Sequence, residues 1–456
     1  MADDPSPIPR PPSQFLSHLS DHPQIETREL LQPYLAYEAW LRMAFARGDT
    51  GIDNFANVVP IYNGCEHAFR IRTIDRETAD GEKYIMPLLD DEREEDSALA
   101  ITASIEKYWR NFNGFSHGIL ADLDWSNIVV AGSAALLPLL SRRRDIPTTN
   151  DLYIDGSPEN YFETIASKSD IDIFLYGLDS DDAAITLIFQ LESMIRNNQN
   201  LFPGEGLSMR SKNAITFISP KRPYRHVQVI LRLYKSISEI LTGVDVDCAC
   251  VVFDGRQVYS NPRGIAAIST RTNTINLSLR GPAYENRLCK YRSHNFEVFW
   301  NSLERSQISA MLFDTCIWRP KDQKGLARLL TFEQMLQNEQ TGWWGKEYGD
   351  WGRKPLKSLD EMCESSLSVP SKYALYEIPY GEDYTVERFL EDFRSHPEDP
   401  CLRGAIQNVI NGRKSEARGE DSLVGKVNFI QHIPGQQMLE NFEPMVEDDW
   451  TEMAYV

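Results

Sequence analysis

Two aspartates separated by one residue stand at the start of an apolar run in the stretch SKSDIDIFLYG, residues 167–177. Side chains alternate along an extended strand, so Asp170 and Asp172 are expected on the same face of this one. Two neighbouring carboxylates repel each other unless a cation lies between them. Oxygen ligands of this kind suit Mg²⁺ or Mn²⁺. The spacing therefore predicts a metal site at the beginning of this strand.

A glycine–serine pair precedes the aspartates in the stretch VVAGSAALLPLL, residues 129–140. It places Gly132 and Ser133 at the corner between a predicted strand and a predicted helix. Glycine allows the backbone to approach a phosphate closely, and the free N–H groups at the start of a helix favour an anion. The Ser133 hydroxyl adds a donor. Such a corner, followed by paired aspartates, indicates a nucleotide phosphate bound beside a metal ion.

Further carboxylates occur in GVDVDCAC, residues 243–250. This stretch predicts a strand that carries Asp245 and Asp247 on one face. Three carboxylates on adjacent strands can hold two metal ions. One ion would activate an attacking hydroxyl, and both would stabilise the phosphoryl transition state.

These three stretches together resemble the signature of the DNA polymerase β-like nucleotidyltransferase superfamily, which is hG[GS], then DhD, then a third aspartate on a later strand. The stretches VQVILRLYKS and GVDVDCAC are similar to the end of the core in poly(A) polymerases and terminal uridylyltransferases. The resemblance implies that Asp170, Asp172 and Asp247 are the catalytic, metal-binding carboxylates. Asp247 is favoured over Asp245 because it aligns with the third aspartate of the superfamily.

The resemblance also implies contacts with the triphosphate of a nucleotide from Gly132 and Ser133. An incoming triphosphate needs cations as well as metal ions, and the candidates are Arg210 and Lys212 in MRSKNAITF, Lys235 in LRLYKS, and Arg287 and Lys290 in YENRLCKY. The last two are three residues apart on a predicted helix and so lie on one face. For each cation the alternative is an ordinary solvated surface charge.

A closer resemblance extends from about Asp124 to Tyr291. SDIDIFLYGL, HVQVILRLYKSISEILTG and YENRLCKY are similar to a nucleotidyltransferase-like domain of large fungal and protist proteins that are labelled by their ankyrin repeats. This chain carries no TPLHxA repeat. It also departs from the superfamily pattern, because Asp170 follows Ser133 by 37 positions. An insertion between Arg142 and Ser169 is therefore expected to loop out of the core.

Strand and helix signals alternate in the middle of the chain. They predict an α+β fold in which a polymerase β-like core, a mixed sheet with flanking helices, lies between helical N-terminal and C-terminal regions. An apolar stripe predicts one N-terminal helix over Ser97 to Phe112. The predicted divisions are a disordered proline-rich tail (1–14), a mostly helical region (15–120), the catalytic core (121–281), a helical C-terminal region (282–412), and a linker with an acidic tail (413–456).

Composition limits the partners. The 456 residues include 47 basic and 67 acidic side chains, a net charge of −20, whereas proteins that grip long nucleic acids usually present a basic face. A protein, a small molecule or a nucleotide is therefore favoured over long RNA as acceptor, and the flanking helical regions are candidates for a protein partner. The seven cysteines indicate no disulfide framework. A reduced cytoplasmic or nuclear protein without a membrane segment is expected.

The main hypothesis is a Mg²⁺- or Mn²⁺-dependent enzyme that moves an NMP from an NTP onto an acceptor hydroxyl and releases pyrophosphate, and the sequence does not specify the base of the NTP. The alternative is a module on the same fold that binds a nucleotide or a partner without turnover. A sugar-nucleotide transferase with a DxD motif is the third hypothesis. It is disfavoured because that motif usually ends an apolar strand, whereas here the apolar run follows the aspartates.

Overall fold

The structure is a computed structural model of the whole chain. It describes residues 7–74, 77–141, 157–202, 205–312, 323–341, 378, 380–395, 401–413, 416–418, 423–430, 433–439, 445 and 449–455. The Trp/Gly-rich stretch 342–355, most of the predicted insertion (142–156) and Cys316 and Cys363 lie outside these residues.

Helices lie before, within and after the predicted core, which agrees with an α+β fold. They are α1 (Phe15–Asp21), α2 (Thr27–Arg47), α3 (Ile105–Ser116), α4 (Ser133–Leu139), α5 (Pro158–Ile165), α6 (Asp181–Asn198), α7 (Ile237–Gly243), α8 (Pro262–Thr270), α9 (Tyr284–Arg292), α10 (Gly325–Thr341), α11 (Val386–Ser395) and α12 (Ile406–Asn411). In the described part of the chain, none of them is both long and apolar enough to cross a membrane.

The strands form one large mixed sheet and one small sheet. They are β1 (Val59–Pro60), β2 (Tyr84–Ile85), β3 (Ile128–Ala131), β4 (Ile171–Tyr176), β5 (Ser208–Arg210), β6 (Ala214–Phe217), β7 (Val227–Tyr234), β8 (Val251–Phe253), β9 (Val258–Ser260), β10 (Thr272–Thr274), β11 (Glu297–Phe299), β12 (Cys401–Gly404) and β13 (Glu416–Arg418). The large sheet has the order β1-β9-β8-β3-β4-β7-β6-β5-β12-β13, and the small sheet has the order β10-β11-β2.

The centre of the large sheet is the part that positions the site. Strand β4 runs antiparallel to β3 on one side and parallel to β7 on the other. Its odd-numbered residues Ile171, Ile173 and Leu175 are completely buried, as the apolar run predicts. The residues between them point to the opposite face, and that face carries the aspartates.

The N-terminal region is helical only at its two ends. Between α2 and α3 the described residues form turns, short 3₁₀ segments and the small strands β1 and β2. Helix α3 begins at Ile105 rather than at Ser97, because the Ser104 hydroxyl caps it by accepting from the Lys107 N–H. Ala98 instead accepts a backbone hydrogen bond from Ile71.

The regions before and after the predicted core contribute to the same hydrophobic core as the large sheet. One continuous hydrophobic cluster includes Phe15 from α1, Val130 from β3, Leu330 from α10 and Trp450 near the C-terminus. Part of the predicted flexible linker, Glu416–Arg418, pairs as β13 with β12 at the edge of the large sheet. The predicted core is therefore held from both sides by the segments around it.

The segment after α7 departs from the predicted strand. Residues Val244 to Val246 form a bend, a 3₁₀ turn spans Asp247–Ala249, and β8 begins only at Val251. The polar atoms of this segment find partners that strand pairing would not provide. The Cys248 N–H, for example, donates to the Asn273 side chain at 2.9 Å. Asp245 and Asp247 consequently do not share the face of a strand.

Candidate active site

The Gly–Ser corner forms as predicted, between β3 and α4. Gly132 has φ 63° and ψ −142°, a backbone conformation that favours glycine. A Cβ built at this position would meet only the Tyr291 hydroxyl, at 3.9 Å, so the space in front of the glycine is open. The Ser133 hydroxyl lies 3.3 Å from the Tyr291 hydroxyl, which brings helix α9 against the corner.

The paired aspartates open into the same cavity as this corner. Asp170 directly precedes β4, and Asp172 is the second residue of the strand. Both are half-buried, and both line a cavity of about 230 Å³ together with Gly132 and Ser133. Asp172 is paired in register with Ala131, the residue before the glycine. The sheet register therefore joins the two motifs, although Asp170 follows Ser133 by 37 positions in the sequence.

Asp245 reaches this cavity from the bend after α7. Its side chain is 1% exposed, and its Oδ2 lies 2.5 Å from Nη2 of Arg287 on α9. Gly281 permits the close approach, since a Cβ there would stand 3.1 Å from the Arg287 nitrogen and 3.4 Å from the Asp245 oxygen. Asp245 and Arg287 both line the cavity.

Asp247, which the resemblance favours as the third carboxylate, lies elsewhere. It is 5% exposed and does not line the cavity. Its Oδ1 accepts from Arg263 at 2.9 Å, and its Oδ2 accepts from the Thr274 N–H at 2.7 Å. Burial raises the pKa of the Asp247 carboxyl, although Arg263 opposes the shift. Of the two aspartates of this stretch, Asp245 is therefore the one that lines the cavity, and Asp247 is not.

Arg263 connects Asp247 to the helix α2. Its guanidinium also contacts Glu38 at 2.9 Å and donates to the Val244 carbonyl at 2.8 Å. The Arg263 side chain is only 2% exposed, so its charge is compensated inside the protein by Glu38, Asp247 and the Val244 carbonyl. This buried network fixes both ends of the bend that carries Asp245.

The strand next to β4 carries an amide side chain beside Asp172. Strand β7 pairs in parallel with β4, and Gln228 is the residue in register with Asp172. Gln228 lines the cavity and donates to the Thr216 hydroxyl on β6 at 3.3 Å. Sequence reasoning missed both residues. The alternating pattern of HVQVILRLY contains the signal, but it does not reveal which strand lies beside β7.

Two of the predicted cations face the cavity. Arg287 and Lys290 line it from successive turns of α9. Lys235, at the end of β7, is exposed and is not among the lining residues, while its backbone N–H donates to the Glu239 carboxylate. The structure therefore assigns Lys235 to the solvated surface.

The carboxylates at the cavity supply some, but not all, of the ligands that a hard divalent cation needs. Within the described ranges, no three acidic, histidine or cysteine side chains converge closely enough to enclose a metal ion. Asp170 and Asp172 both present carboxylate oxygens to the cavity. Mg²⁺ is commonly bound by one or two carboxylates together with waters and substrate phosphates. The pair suits a metal ion that arrives with a nucleotide.

Comparison with known proteins gives two partial matches. A model of the Gabija anti-defense 2 (Gad2) family matches residues 106–271, which is less than half of the chain. The matched range contains the Gly–Ser corner, Asp170, Asp172 and Asp245, and it ends before α9.

The second match is an uncharacterized protein of Acanthamoeba polyphaga mimivirus. It is 28% identical over 224 residues, which make up 47% of this chain and 44% of the mimivirus protein. The match thus spans less than half of that relative's length. No solved structure matches the chain.

Proposed function

We propose that the protein is a metal-dependent nucleotidyltransferase that moves an NMP from an NTP onto an acceptor hydroxyl. One observation carries the proposal: Asp170 and Asp172 open into the same cavity as Gly132 and Ser133. Paired carboxylates beside an open glycine corner are what a metal-bound phosphate requires.

The residues would divide the work as follows. Asp170 and Asp172 would hold Mg²⁺ or Mn²⁺, which when bound lowers the pKa of the attacking hydroxyl and neutralises charge on the phosphates. Arg287 and Lys290 would bind the phosphates that leave as pyrophosphate, because they are the cations that line the cavity. The Gly132 corner leaves room for a phosphate to approach the backbone.

Asp245 would replace Asp247 as the third carboxylate of the site. Its ion pair with Arg287 means that a nucleotide and Asp245 compete for the same guanidinium. If the triphosphate drew Arg287 away, the Asp245 carboxylate would be available as a further oxygen donor beside Asp170 and Asp172. The polymerase β-like identity of the core is part of this proposal. It is supported by the order of strand, Gly–Ser corner and paired aspartates on an adjacent antiparallel strand.

A second candidate is a module that binds a nucleotide or a protein without turnover. Gln228 favours it, because this amide occupies the in-register position beside Asp172 and adds no negative charge for a second metal ion. The matched family is described as acting against the Gabija defence, and binding alone would be enough for such a role. A sugar-nucleotide transferase is the third candidate.

A label-transfer assay separates these candidates. The protein is incubated with each α-labelled NTP, Mg²⁺ or Mn²⁺ and cell extract, alongside the variants Asp170→Asn and Asp172→Asn. Asp179→Asn is the matched control, since Asp179 is exposed and lies outside the cavity. Transfer by the protein and the control but not by the other two variants supports the enzyme. Metal-dependent NTP binding without transfer in any extract supports the binding module, and turnover of UDP-sugars supports the sugar-nucleotide transferase.

A further inference from the structure

The cavity has two chemically different ends. On the β3 side of β4 lie Gly132 and Ser133, and the contact between Ser133 and Tyr291 places α9 on this side as well. Arg287 and Lys290 therefore belong to the same end. On the β7 side of β4 the lining residues come from the next three strands, β7, β6 and β5.

The lining residues of the β7 side are uncharged and combine polar with apolar side chains, and Arg403, which is in register with Met209 on the next strand, is not among them. A single row crosses the sheet in register from Asp172 to Gln228, then Thr216, then Met209. Residues in register point to the same face, so these side chains form a continuous floor. The other lining residues of this end are also neutral; they are Ser211, Asn213, Ala214 and Ile230. Strands lie about 4.8 Å apart, so the floor extends roughly 14 Å from Asp172.

The geometry of in-line displacement indicates which reactant binds over the residues of the β7 side. The attacking oxygen and the leaving oxygen lie on opposite sides of the phosphorus atom. If the pyrophosphate leaves toward the cations of α9, the attacking oxygen arrives from the β7 side. In that step the acceptor oxygen bonds to the α-phosphorus, the bond to the bridging oxygen breaks, pyrophosphate leaves with the electron pair, and the hydroxyl proton passes to water.

We infer that the acceptor is a neutral alcohol bound by Gln228 and Thr216, and not the phosphate-rich end of a nucleic acid. This inference rests on the proposed function. Binding a polyanion needs cations that neutralise its phosphates, and the lining of the β7 end supplies amide and hydroxyl groups instead. Such groups exchange hydrogen bonds with hydroxyls and amides of a neutral partner. The hydroxyl comes either from a serine, threonine or tyrosine side chain or from a small polyol.

The test uses the full-length protein with labelled NTP and three acceptors: glycerol, a neutral peptide rich in serine, threonine and tyrosine, and an oligoadenylate with a free 3′-hydroxyl. The variants are Gln228→Ala and Thr216→Val. Gln190→Ala is the matched control, because Gln190 is exposed on α6. Transfer to glycerol or to the peptide is expected to fall about tenfold or more in both variants, while the dissociation constant of the NTP changes less than about twofold.

The outcomes are distinct. Preferential transfer to glycerol assigns the site to polyols, and preferential transfer to the peptide assigns it to proteins. Preference for oligoadenylate, or a loss of NTP affinity in Gln228→Ala as large as that in Lys290→Ala, overturns the inference and leaves the enzyme in place. A wild-type protein that neither binds nor turns over any NTP overturns the proposed function itself.

Discussion

Arg287 lies 2.5 Å from Asp245, Nη2 to Oδ2, and the pair joins helix α9 to the bend after α7 at the wall of the cavity. The Arg287 side chain is 25% exposed, whereas Asp245 is 1% exposed. The arginine is therefore the partner that a ligand can reach, and the aspartate depends on it for charge compensation.

Replacement of this arginine should affect both stability and nucleotide binding. In Arg287→Gln the buried Asp245 carboxylate loses its guanidinium, and we expect a loss of about 2 kcal/mol in the free energy of unfolding, because one side of the pair is partly solvated. The NTP affinity should fall as well. Urea unfolding and calorimetric titration measure the two effects. Arg256→Gln, at an exposed position, is the control. Unchanged NTP affinity would remove Arg287 from the phosphate site.

Replacement of Lys290 and replacement of Lys235 should have different effects on the KM for NTP. Lys290→Ala removes a cation from the cavity, so the KM for NTP should rise about tenfold. Lys235→Ala removes an exposed charge outside the cavity and should leave the KM unchanged. Steady-state kinetics on the two variants measures this difference. Equal effects of the two substitutions would contradict the placement of the phosphates near α9.

Asp247 should prove structural. In Asp247→Asn the buried Arg263 loses a charged partner, and unfolding should become easier by about 3 kcal/mol. Thermal or urea unfolding measures the loss. The metal-dependence of NTP binding should be retained in the folded fraction. If the variant kept normal stability but its NTP binding no longer depended on Mg²⁺, Asp247 would have to be a metal ligand.

The stability of the fold should respond to pH through His294. Desolvation of this ring, followed by the nearby Lys290 charge, lowers its pKa from 6.5 to about 3. Unfolding therefore takes up a proton at this ring below pH 6.5, and His294 should contribute a loss of stability of at most about 1.4 kcal/mol per pH unit as the pH falls toward 3. Urea unfolding at pH 6 and pH 4.5 measures the slope. His294→Gln should flatten it, and an identical slope in that variant would rule out this residue as the cause.

The motifs of the site could be predicted because they are local. The strand signals of NIVVAG and DIDIFLYG, the glycine corner and the alternation of Asp170 and Asp172 each depend on a few adjacent residues. The structure agrees with all of them. The face of α9 that carries Arg287 and Lys290 follows from helical spacing in the same way.

The choice between Asp245 and Asp247 could not be predicted because it depends on distant partners. Glu38, Arg263 and Thr274 are separated from Asp247 by many residues, and together they hold it away from the cavity. The role of Gln228 is hidden for a related reason. It depends on the parallel pairing of β7 with β4, and the identity of neighbouring strands cannot be read from the alternation of a single strand.

The most direct test of the central claim compares NTP labelled at the α-phosphate with NTP labelled at the γ-phosphate, in the presence of Mg²⁺ or Mn²⁺ and the acceptors above. The account predicts that the α-label enters the product with release of pyrophosphate and that the γ-label does not. It further predicts that Asp172→Asn lowers this transfer about 100-fold or more while Asp179→Asn does not. Entry of the γ-label, or α-transfer that survives in Asp172→Asn, would contradict a nucleotidyl transfer centred on the paired aspartates.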